Sequence, residues 1–331
     1  MERTFISDLQ PGCHIDQVFL ITQKDLRTTT NGALYIHTVL ADRTGQMPAR
    51  MWQASETIYQ TLPENGFVRL VGRTESYKGN LQFIIEAVRP ADLDRIDPGD
   101  FLPQTSGDIE KMYARVLEIM RTVENRHLLL LVKQFVADEP LMGQFKQAPA
   151  AIGLHHARIG GLLEHTLNML ELVLLICPRF PQLNRDLMLV GTFLHDMGKT
   201  AELKWETGFA YTEKGQLVGH LVEAATWVKE QARAVEQELN EPFPPRLLWA
   251  VQHLILAHHG RYEFGSPKLP MMAEALALHH LDNLDAKLDL IEGEITDEKY
   301  KDEPFTRYLT AMEAKLYRAD LLPEPEADQE A

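Results

Sequence analysis

Phe193-Leu-His-Asp-Met-Gly-Lys199 is the most informative stretch of this chain, because it sets a histidine beside an aspartate at the end of an apolar run. Imidazole nitrogens and carboxylate oxygens are ligands that hard and borderline divalent metals prefer. A buried carboxylate such as Asp196 needs a metal or another cation to offset the loss of its hydration. Since Lys199 is itself a candidate cation, the stretch alone predicts either a metal site or a structural ion pair.

Further histidines and aspartates on both sides of this stretch favour the metal site. In chain order they are His165, His220, His258, His259 and Asp282. A lone histidine on an apolar helix face is usually a hydrogen-bonded core residue, but the complete order H…HD…H…HH…D is typical of two metals that share one carboxylate. A carboxylate between metals about 3.5–4 Å apart helps to activate a water for attack on a phosphoester. The pattern therefore predicts a metal-dependent phosphodiesterase.

The residues around these ligands closely resemble one family of HD-domain phosphohydrolases, the YhaM-type 3′→5′ exoribonucleases. The resemblance covers nearly the whole chain except the last dozen residues, and its most specific segments are His155-His-Ala-Arg-Ile-Gly-Gly-Leu-Leu-Glu-His-Thr166, Ala257-His-His-Gly260, Tyr262-Glu-Phe-Gly-Ser-Pro267 and His280-Leu-Asp-Asn-Leu-Asp-Ala286. It implies an enzyme that hydrolyses single-stranded RNA, and as a second substrate single-stranded DNA, to nucleoside 5′-monophosphates through a hydroxide activated by two metals. It also implies an N-terminal OB-fold before an all-α HD-domain bundle.

The superfamily pattern implies how the seven ligands divide between two divalent ions. One metal would be held by His165, His195, Asp196 and Asp282, and Asp196 would bridge to a second metal held by His220, His258 and His259. Manganese is the favoured metal, although imidazoles and carboxylates also suit Fe, Co, Ni, Mg or Zn. His279, His280 and Asp285 lie near Asp282 on one predicted helix and are expected to support the ligands or to pack.

Asp196 and Lys199 are the predicted catalytic residues. Asp196 would be the ligand that both metals share. Lys199 would place its ammonium on the scissile phosphate, where positive charge stabilises the developing negative charge; a solvated lysine after a helix end is the alternative. The resemblance suggests four substrate contacts beside the site, namely His156, Arg158, Ser266 and Lys268.

Residues 1–92 predict a five-stranded β-barrel of the OB type. Runs rich in β-branched and aromatic residues lie at 18–22, 33–40, 47–52, 67–72 and 81–87, with turn signals such as Asn31-Gly32 between them. A short helix predicted at 55–62, after the third strand, gives the OB order. SH3-like barrels also have five strands, so the strand count alone leaves both folds open.

One face of this barrel is the predicted binding surface for single strands, which OB domains hold with stacking aromatics and basic groups. The candidate residues are Tyr35, His37, Arg50, Trp52, Arg73, Tyr77, Lys78 and Phe83. Strand alternation equally allows Trp52 and Phe83 to be barrel core.

The rest of the chain predicts a linker, a helical domain and a tail, so the whole is a multi-domain α+β protein. Residues 93–107 form the linker and 108–318 the HD-type metal-dependent domain, because the apolar period becomes helical from Asp108. Helices are predicted from about 109 onward and at about 124–137, 159–176, 185–196, 217–239, 246–257, 271–291 and 305–318. Residues 319–331 predict a disordered acidic tail.

The charge distribution singles out the barrel as the nucleic-acid contact. The chain of 331 residues carries a net charge of −15, which argues against a nonspecific polyanion binder. Residues 1–90 hold 9 basic and 9 acidic residues, so the remaining 24 basic and 39 acidic residues account for the whole −15. A metal pair would offset the acidic field of that second part.

Composition also sets expectations for location and assembly. Cys13 and Cys177 fall in different predicted domains and predict no disulfide, no apolar run is long enough for a membrane span, and the N-terminus has no signal-peptide layout. We therefore expect a cytoplasmic protein without a membrane partner, and homo-oligomerisation stays open. Two rival functions remain: an HD-type nucleotide or cyclic-nucleotide phosphohydrolase whose barrel serves assembly, and a non-catalytic RNA-binding regulator.

Overall fold

The computed structural model of the chain describes residues 3–153, 155–296 and 303–318. Within them an N-terminal barrel is followed by a helical domain, which confirms the predicted multi-domain α+β fold. The acidic tail predicted at 319–331 lies outside the described residues. No helix in the described ranges combines the length and the apolar character that a bilayer crossing requires.

The barrel is closed and has the strand order β1-β2-β3-β5-β4. Its strands are β1 (His14–Thr28), β2 (Leu34–Asp42), β3 (Gly45–Trp52), β4 (Gly66–Tyr77) and β5 (Asn80–Pro90). Helix α1 (Glu56–Thr61) lies between β3 and β4, capped by the Ser55 hydroxyl, which accepts from the Ile58 amide. β1 pairs antiparallel with both β2 and β4, while β3 and β5 meet in a short parallel pairing. This order confirms the OB-type barrel.

The helical domain packs ten helices and one short hairpin around an apolar core. The helices are α2 (Ile109–Met120), α3 (Arg126–Val136), α4 (Glu139–Gln147), α5 (Gly161–Ile176), α6 (Arg185–Leu194), α7 (Lys199–Glu202), α8 (Glu213–Val218), α9 (His220–Leu239), α10 (Pro245–Ala257) and α11 (Ala273–Ile295) among the described residues. The hairpin consists of β6 (Leu203–Lys204) and β7 (Ala210–Tyr211). Fully buried residues such as Leu163, Phe193 and Leu254 bring α5, α6 and α10 together.

Two helix predictions differ from the structure for identifiable reasons. The helix predicted at 217–239 is broken at Gly219, whose φ of 76° with ψ of 157° favours glycine, and α9 therefore begins at His220. The helix predicted at 305–318 is wrong. Phe305 instead forms a bridge with Tyr317, and their rings lie 5.3 Å apart, so local strand-like pairing outcompetes the helix.

Helix α4 is the longest of the described helices that the sequence did not predict. Helix α4 carries Pro140 in its first turn, where the missing N–H costs no hydrogen bond. Asp138 caps the helix by accepting from the Leu141 amide at 3.0 Å.

The segment after the barrel is packed rather than free. Phe101 and Leu102 form a buried apolar cluster with Leu20 and Ala41 of the barrel and with Ile159 of the helical domain. Hydrogen bonds reinforce this cluster, since the Arg43 amide donates to the Asp100 carbonyl and the Ile159 amide to the Pro103 carbonyl. The predicted linker, 93–107, therefore contacts both domains.

Candidate metal centre and nucleic-acid face

The predicted ligands come from five helical segments that converge on one buried point. His165 lies within α5, His195 and Asp196 directly follow α6, His220 begins α9, and Asp282 lies within α11. His258 and His259 directly follow α10. Because most of these side chains lie at helix ends, the backbone directs them inward together. His165, His195, Asp196 and His258 are almost completely buried.

The two oxygens of Asp196 face two separate groups of ligands. Its Oδ2 lies 3.4 Å from His195 Nε2, while its Oδ1 lies 3.4 Å from both His220 Nε2 and His258 Nε2. Two donors about 2.1 Å from one ion at tetrahedral to octahedral angles are about 3.0–3.4 Å apart. The separations around Asp196 therefore match donors that share an ion.

Two clusters of candidate ligand atoms lie around Asp196. His165, His195 and Asp282 form the first, with His165 Nε2 at 3.2 Å from His195 Nε2 and 3.3 Å from Asp282 Oδ1. The second cluster consists of Asp196, His220, His258 and His259. Within each cluster the ligand atoms all lie within 4.8 Å of one another.

All five histidines present the same ring nitrogen to the centre, because their other nitrogen is already occupied. Nδ1 of each ring is bonded outward: His165 to Asp285 at 2.6 Å, His195 to the Thr192 carbonyl at 2.6 Å, His220 to Glu202 at 2.8 Å, His258 to the Ile255 carbonyl at 2.8 Å and His259 to the Phe264 carbonyl at 2.8 Å. Such partners fix the tautomer and the orientation of metal-binding imidazoles. In each ring Nε2 is therefore the nitrogen that faces the other candidate ligands.

The chemistry of the donor set fits divalent ions. Asp196 Oδ1 and His220 Nε2 are buried side-chain atoms without a hydrogen-bond partner, and such atoms are costly to bury unless something pairs with them. A cation between these atoms would satisfy both. We conclude that this buried cluster of histidines and aspartates is a divalent-metal site.

Electrostatics also favours positive charge at this point. Burial opposes ionisation of Asp196, yet Lys199 and the neighbouring imidazoles hold its pKa well below the usual range. Burial likewise works against a charged His165, but Asp282 and Asp285 raise its pKa to about 10. Burial lowers the pKa of His195 to about 4, so this ring is a neutral imidazole at pH 7. The carboxylates thus create a negative electrostatic potential that a bound cation would offset.

Several supporting residues surround the ligands. Asp285 accepts from His165, as the sequence suggested, and also bonds His156 Nε2 at 2.8 Å. His279 Nδ1 donates to the His258 carbonyl at 2.7 Å. Sequence reasoning missed Glu202, which holds His220, because its spacing from His220 follows no helical period.

Lys199 lies at the edge of the metal centre and faces an open cavity. Its Nζ donates to Asp196 Oδ2 at 2.6 Å, and the facing carboxylate raises the pKa of Lys199 even though burial would lower it. The side chain is buried, so the solvated-lysine interpretation is wrong. The cavity measures about 740 Å³ and is also lined by His155, His220 and His259. Lys199 therefore lies between Asp196 and any molecule that enters this cavity.

The predicted substrate contacts near the centre need correction. His156 is buried and engaged by Asp285, and the Ser266 hydroxyl is buried and donates to the Leu256 carbonyl at 2.9 Å, so neither is available to a substrate. Arg158 pairs with Glu164 and Asp289 on a different cavity. Lys268 is exposed and does not line the 740 Å³ cavity.

His155, rather than the predicted His156, lines the cavity beside the metal centre. Its ring lies 6.2 Å from that of His165. Burial and Lys199 lower the pKa of His155 to about 4. The rings of both histidines lie near that of His165, but only His155 lines the cavity, while His156 is bonded to Asp285.

The barrel brings most of its predicted contact residues onto one outer face. Tyr35 and Trp52 are directly opposed on β2 and β3 with rings 5.2 Å apart, and His37 is opposed to Arg50. The Arg50 guanidinium lies 5.2 Å from the Tyr77 ring, and Lys78 also approaches that ring. Trp52 is 45% exposed. Stacking aromatics and cations thus alternate on this surface, which we call the barrel face: Tyr35, His37, Arg50, Trp52, Tyr77 and Lys78.

One of the predicted barrel contacts is buried in the core, and another is engaged by a carboxylate. Phe83 is fully buried and packs against Phe19 at 5.4 Å, so the prediction that it stacks on a base is wrong. Its strand position faces inward, where the apolar ring is more stable. Arg73 is exposed but is paired with Glu86 at 2.6 Å.

Comparison with known proteins first identifies the class. Residues 162–287 match the family model described as HD domain. The 3′-5′ exoribonuclease YhaM of Geobacillus sp. WCH70 is 33% identical over 310 residues, which cover 92% of this chain and 92% of that protein. YhaM of Bacillus velezensis is 31% identical over 307 residues, with 92% and 95% covered. The chain therefore belongs to the YhaM family of 3′-5′ exoribonucleases.

The barrel also has similar solved structures. The second OB-fold domain of replication protein A from Methanococcus maripaludis aligns with 27% of this chain and 94% of its own length, at 15% identity and a TM-score of 0.22. The assignment of the barrel rests on its own closure and strand order.

Proposed function

We propose that this protein is a 3′→5′ exoribonuclease that degrades single-stranded RNA, and single-stranded DNA as a second substrate, to nucleoside 5′-monophosphates. The observation that carries the proposal is Asp196, whose two oxygens face two clusters of imidazole nitrogens. We further propose that the centre holds two divalent ions, with manganese favoured over Fe, Co, Ni, Mg and Zn.

The residues of the chain divide the work of the reaction. His165, His195 and Asp282 would hold one ion, His220, His258 and His259 the other, and Asp196 both. When bound, such ions supply Lewis-acid activation of water and neutralise phosphate charge. Lys199 adds a fixed positive charge at the cavity, where it favours the more negative transition state. His155 supplies a neutral imidazole that can hydrogen-bond a phosphate or ribose oxygen.

End-labelled RNA of defined sequence tests this function directly. A 5′-labelled twenty-nucleotide strand incubated with manganese-loaded protein should shorten from its 3′ end in single-nucleotide steps, and chromatography should identify 5′-monophosphates. A rival nucleotide or cyclic-nucleotide phosphohydrolase would leave the strand intact and hydrolyse free nucleotides. A regulator without activity would leave both substrates intact.

We propose that the barrel face binds the part of the strand upstream of the cleaved end. We expect Tyr35→Ala combined with Trp52→Ala to raise the Kd for a twenty-nucleotide strand by about thirtyfold or more, since stacking contributes roughly 1–3 kcal/mol per base. Hydrolysis of a dinucleotide should change by less than about twofold, because that substrate only reaches the metal centre. Fluorescence anisotropy and dinucleotide kinetics on the same preparations measure both effects.

Trp249→Ala is the matched control for the barrel variant. Trp249 is also an exposed tryptophan, but it lies on α10 of the helical domain. An equal loss for long and short substrates would assign the barrel to assembly and would favour the small-nucleotide phosphohydrolase.

We also propose that the protein is cytoplasmic. Cys13 and Cys177 are free thiols, which fits the reducing cytoplasm.

A further inference from the structure

The 740 Å³ cavity has two chemically different walls. The wall at the metal centre carries His155, Lys199, Glu202, His220 and His259. The apolar part of the lining includes Ile152, Tyr211, Val218, Leu221, Val222 and Phe264. Several of these apolar side chains remain exposed, including Phe264 at 60% and Tyr211 at 46%. Clustered apolar exposure beside a catalytic centre is typical of a ligand surface.

Phe264 is presented by a loop that is fastened to the metal centre. The Phe264 carbonyl accepts from His259 Nδ1, so the residue that carries the ring also orients a ligand. Ser266 anchors the same loop through its bond to Leu256 on α10, and Arg261 supports the Phe264 ring at 5.7 Å. The backbone that carries the ring is therefore fixed, while most of the Phe264 side chain stays exposed.

Tyr211 is fixed in a similar way on the other segment. It pairs with Leu203 in the hairpin that begins directly after α7, the helix that starts at Lys199. The next residue, Thr212, donates its hydroxyl to the Ala201 carbonyl at 2.8 Å and its amide to the Glu202 carbonyl at 2.9 Å. Two exposed aromatic rings thus border one cavity, each on a segment tied to the metal centre.

We propose that Phe264 and Tyr211 form a stacking platform for the bases of the two 3′-terminal nucleotides of the substrate strand. The proposal rests on the proposed exoribonuclease function and names its base subsite. An apolar wall next to Lys199 and the metal ligands suits a nucleotide, whose phosphate faces the charged wall while its base covers the aromatic one. Base–aromatic stacking accepts every base, because each has a π-face.

The composition of the platform determines its selectivity. Among the described residues that line the cavity, the polar side chains beyond the charged wall are limited to the Tyr211 hydroxyl. Discrimination between bases needs hydrogen bonds to their edges. The enzyme should therefore remove all four nucleotides with kcat/KM values within about tenfold of one another.

Phe264→Leu tests the platform, because leucine keeps the apolar volume but removes the aromatic face. With manganese-loaded full-length protein and a six-nucleotide RNA, KM should rise about 5- to 150-fold, the range that corresponds to one lost stack. The kcat and the metal content should change by less than about threefold. Tyr262→Leu is the matched control, since Tyr262 is 61% exposed in the same turn but does not line the cavity.

Abasic substrates test whether a base of the RNA stacks on the Phe264 ring. An RNA that lacks the base at one of its two 3′-terminal positions should show a similarly raised KM with wild-type protein, and Phe264→Leu should add little to that loss. Three results would overturn the platform: fully additive losses, a Phe264→Leu variant that behaves like Tyr262→Leu, or a hundredfold preference for one base. In each case wild-type protein would still degrade RNA, so the proposed function would stand. Wild-type protein that releases no nucleotide from intact RNA would overturn the proposed function itself.

Discussion

Asp196→Asn should lower the turnover of RNA by at least about a thousandfold, equivalent to about 4 kcal/mol of barrier. The reason is geometric: the carboxylate has one oxygen at 3.4 Å from His195 and the other at 3.4 Å from His220 and His258, so one substitution weakens both ligand clusters. Asparagine keeps the volume of the side chain and should preserve the fold. Elemental analysis should find two ions per wild-type chain and fewer in the variant.

Glu171→Gln provides the matched control for Asp196→Asn. Glu171 lies on α5, the helix that carries His165, but pairs with Arg115 away from the centre. A variant Asp196→Asn that keeps a tenth of the wild-type turnover, or an unchanged metal content, would contradict the assignment of Asp196 as the shared ligand.

Lys199→Met should lower kcat by about a hundredfold to a thousandfold, the usual cost of removing a group that stabilises transition-state charge. The Lys199 ammonium is held at the cavity by Asp196, and its raised pKa keeps it charged at neutral pH. Methionine preserves the length of the side chain without the charge. Since the ammonium competes with metal ions for Asp196, metal content at limiting metal should stay equal or increase.

Lys204→Met separates this effect from a general loss of positive charge, because Lys204 is exposed on β6 and lies outside the cavity lining. If Lys199→Met left kcat unchanged and lowered only the melting temperature of metal-free protein, Lys199 would be a charge-balancing residue without a role on the substrate.

The convergence of these histidines and aspartates on one point is the part of the candidate site that the sequence indicated best. Metal binding requires particular side chains at particular helix ends, so the candidate ligands are visible in the sequence as a pattern of spaced histidines and aspartates. The outward partners of the histidines are different, because three of the five are backbone carbonyls, those of Thr192, Ile255 and Phe264. Any residue type supplies a carbonyl, so no sequence signal could indicate them.

Some of the predicted substrate contacts near the metal centre are wrong, because side-chain direction there depends on the folded loop. His155 and His156 are chemically identical neighbours, and the sequence alone does not indicate that His155 is the one that lines the cavity. Phe83 illustrates the same limit on a strand, where alternation defines two faces without saying which is inside. In the closed barrel, the Phe83 ring lies on the inner face and is buried.

The packed segment around Phe101 and Leu102 has a consequence for how the molecule melts. Its apolar side chains are shared between Leu20 of the barrel and Ile159 of the helical domain, so unfolding of either domain would uncover surface on the other. Burial of such surface contributes roughly 25 cal/mol per Å². The two domains are therefore expected to unfold in one cooperative calorimetric transition. Truncation at residue 92 would leave an aggregation-prone, less stable helical domain rather than an independent catalytic unit.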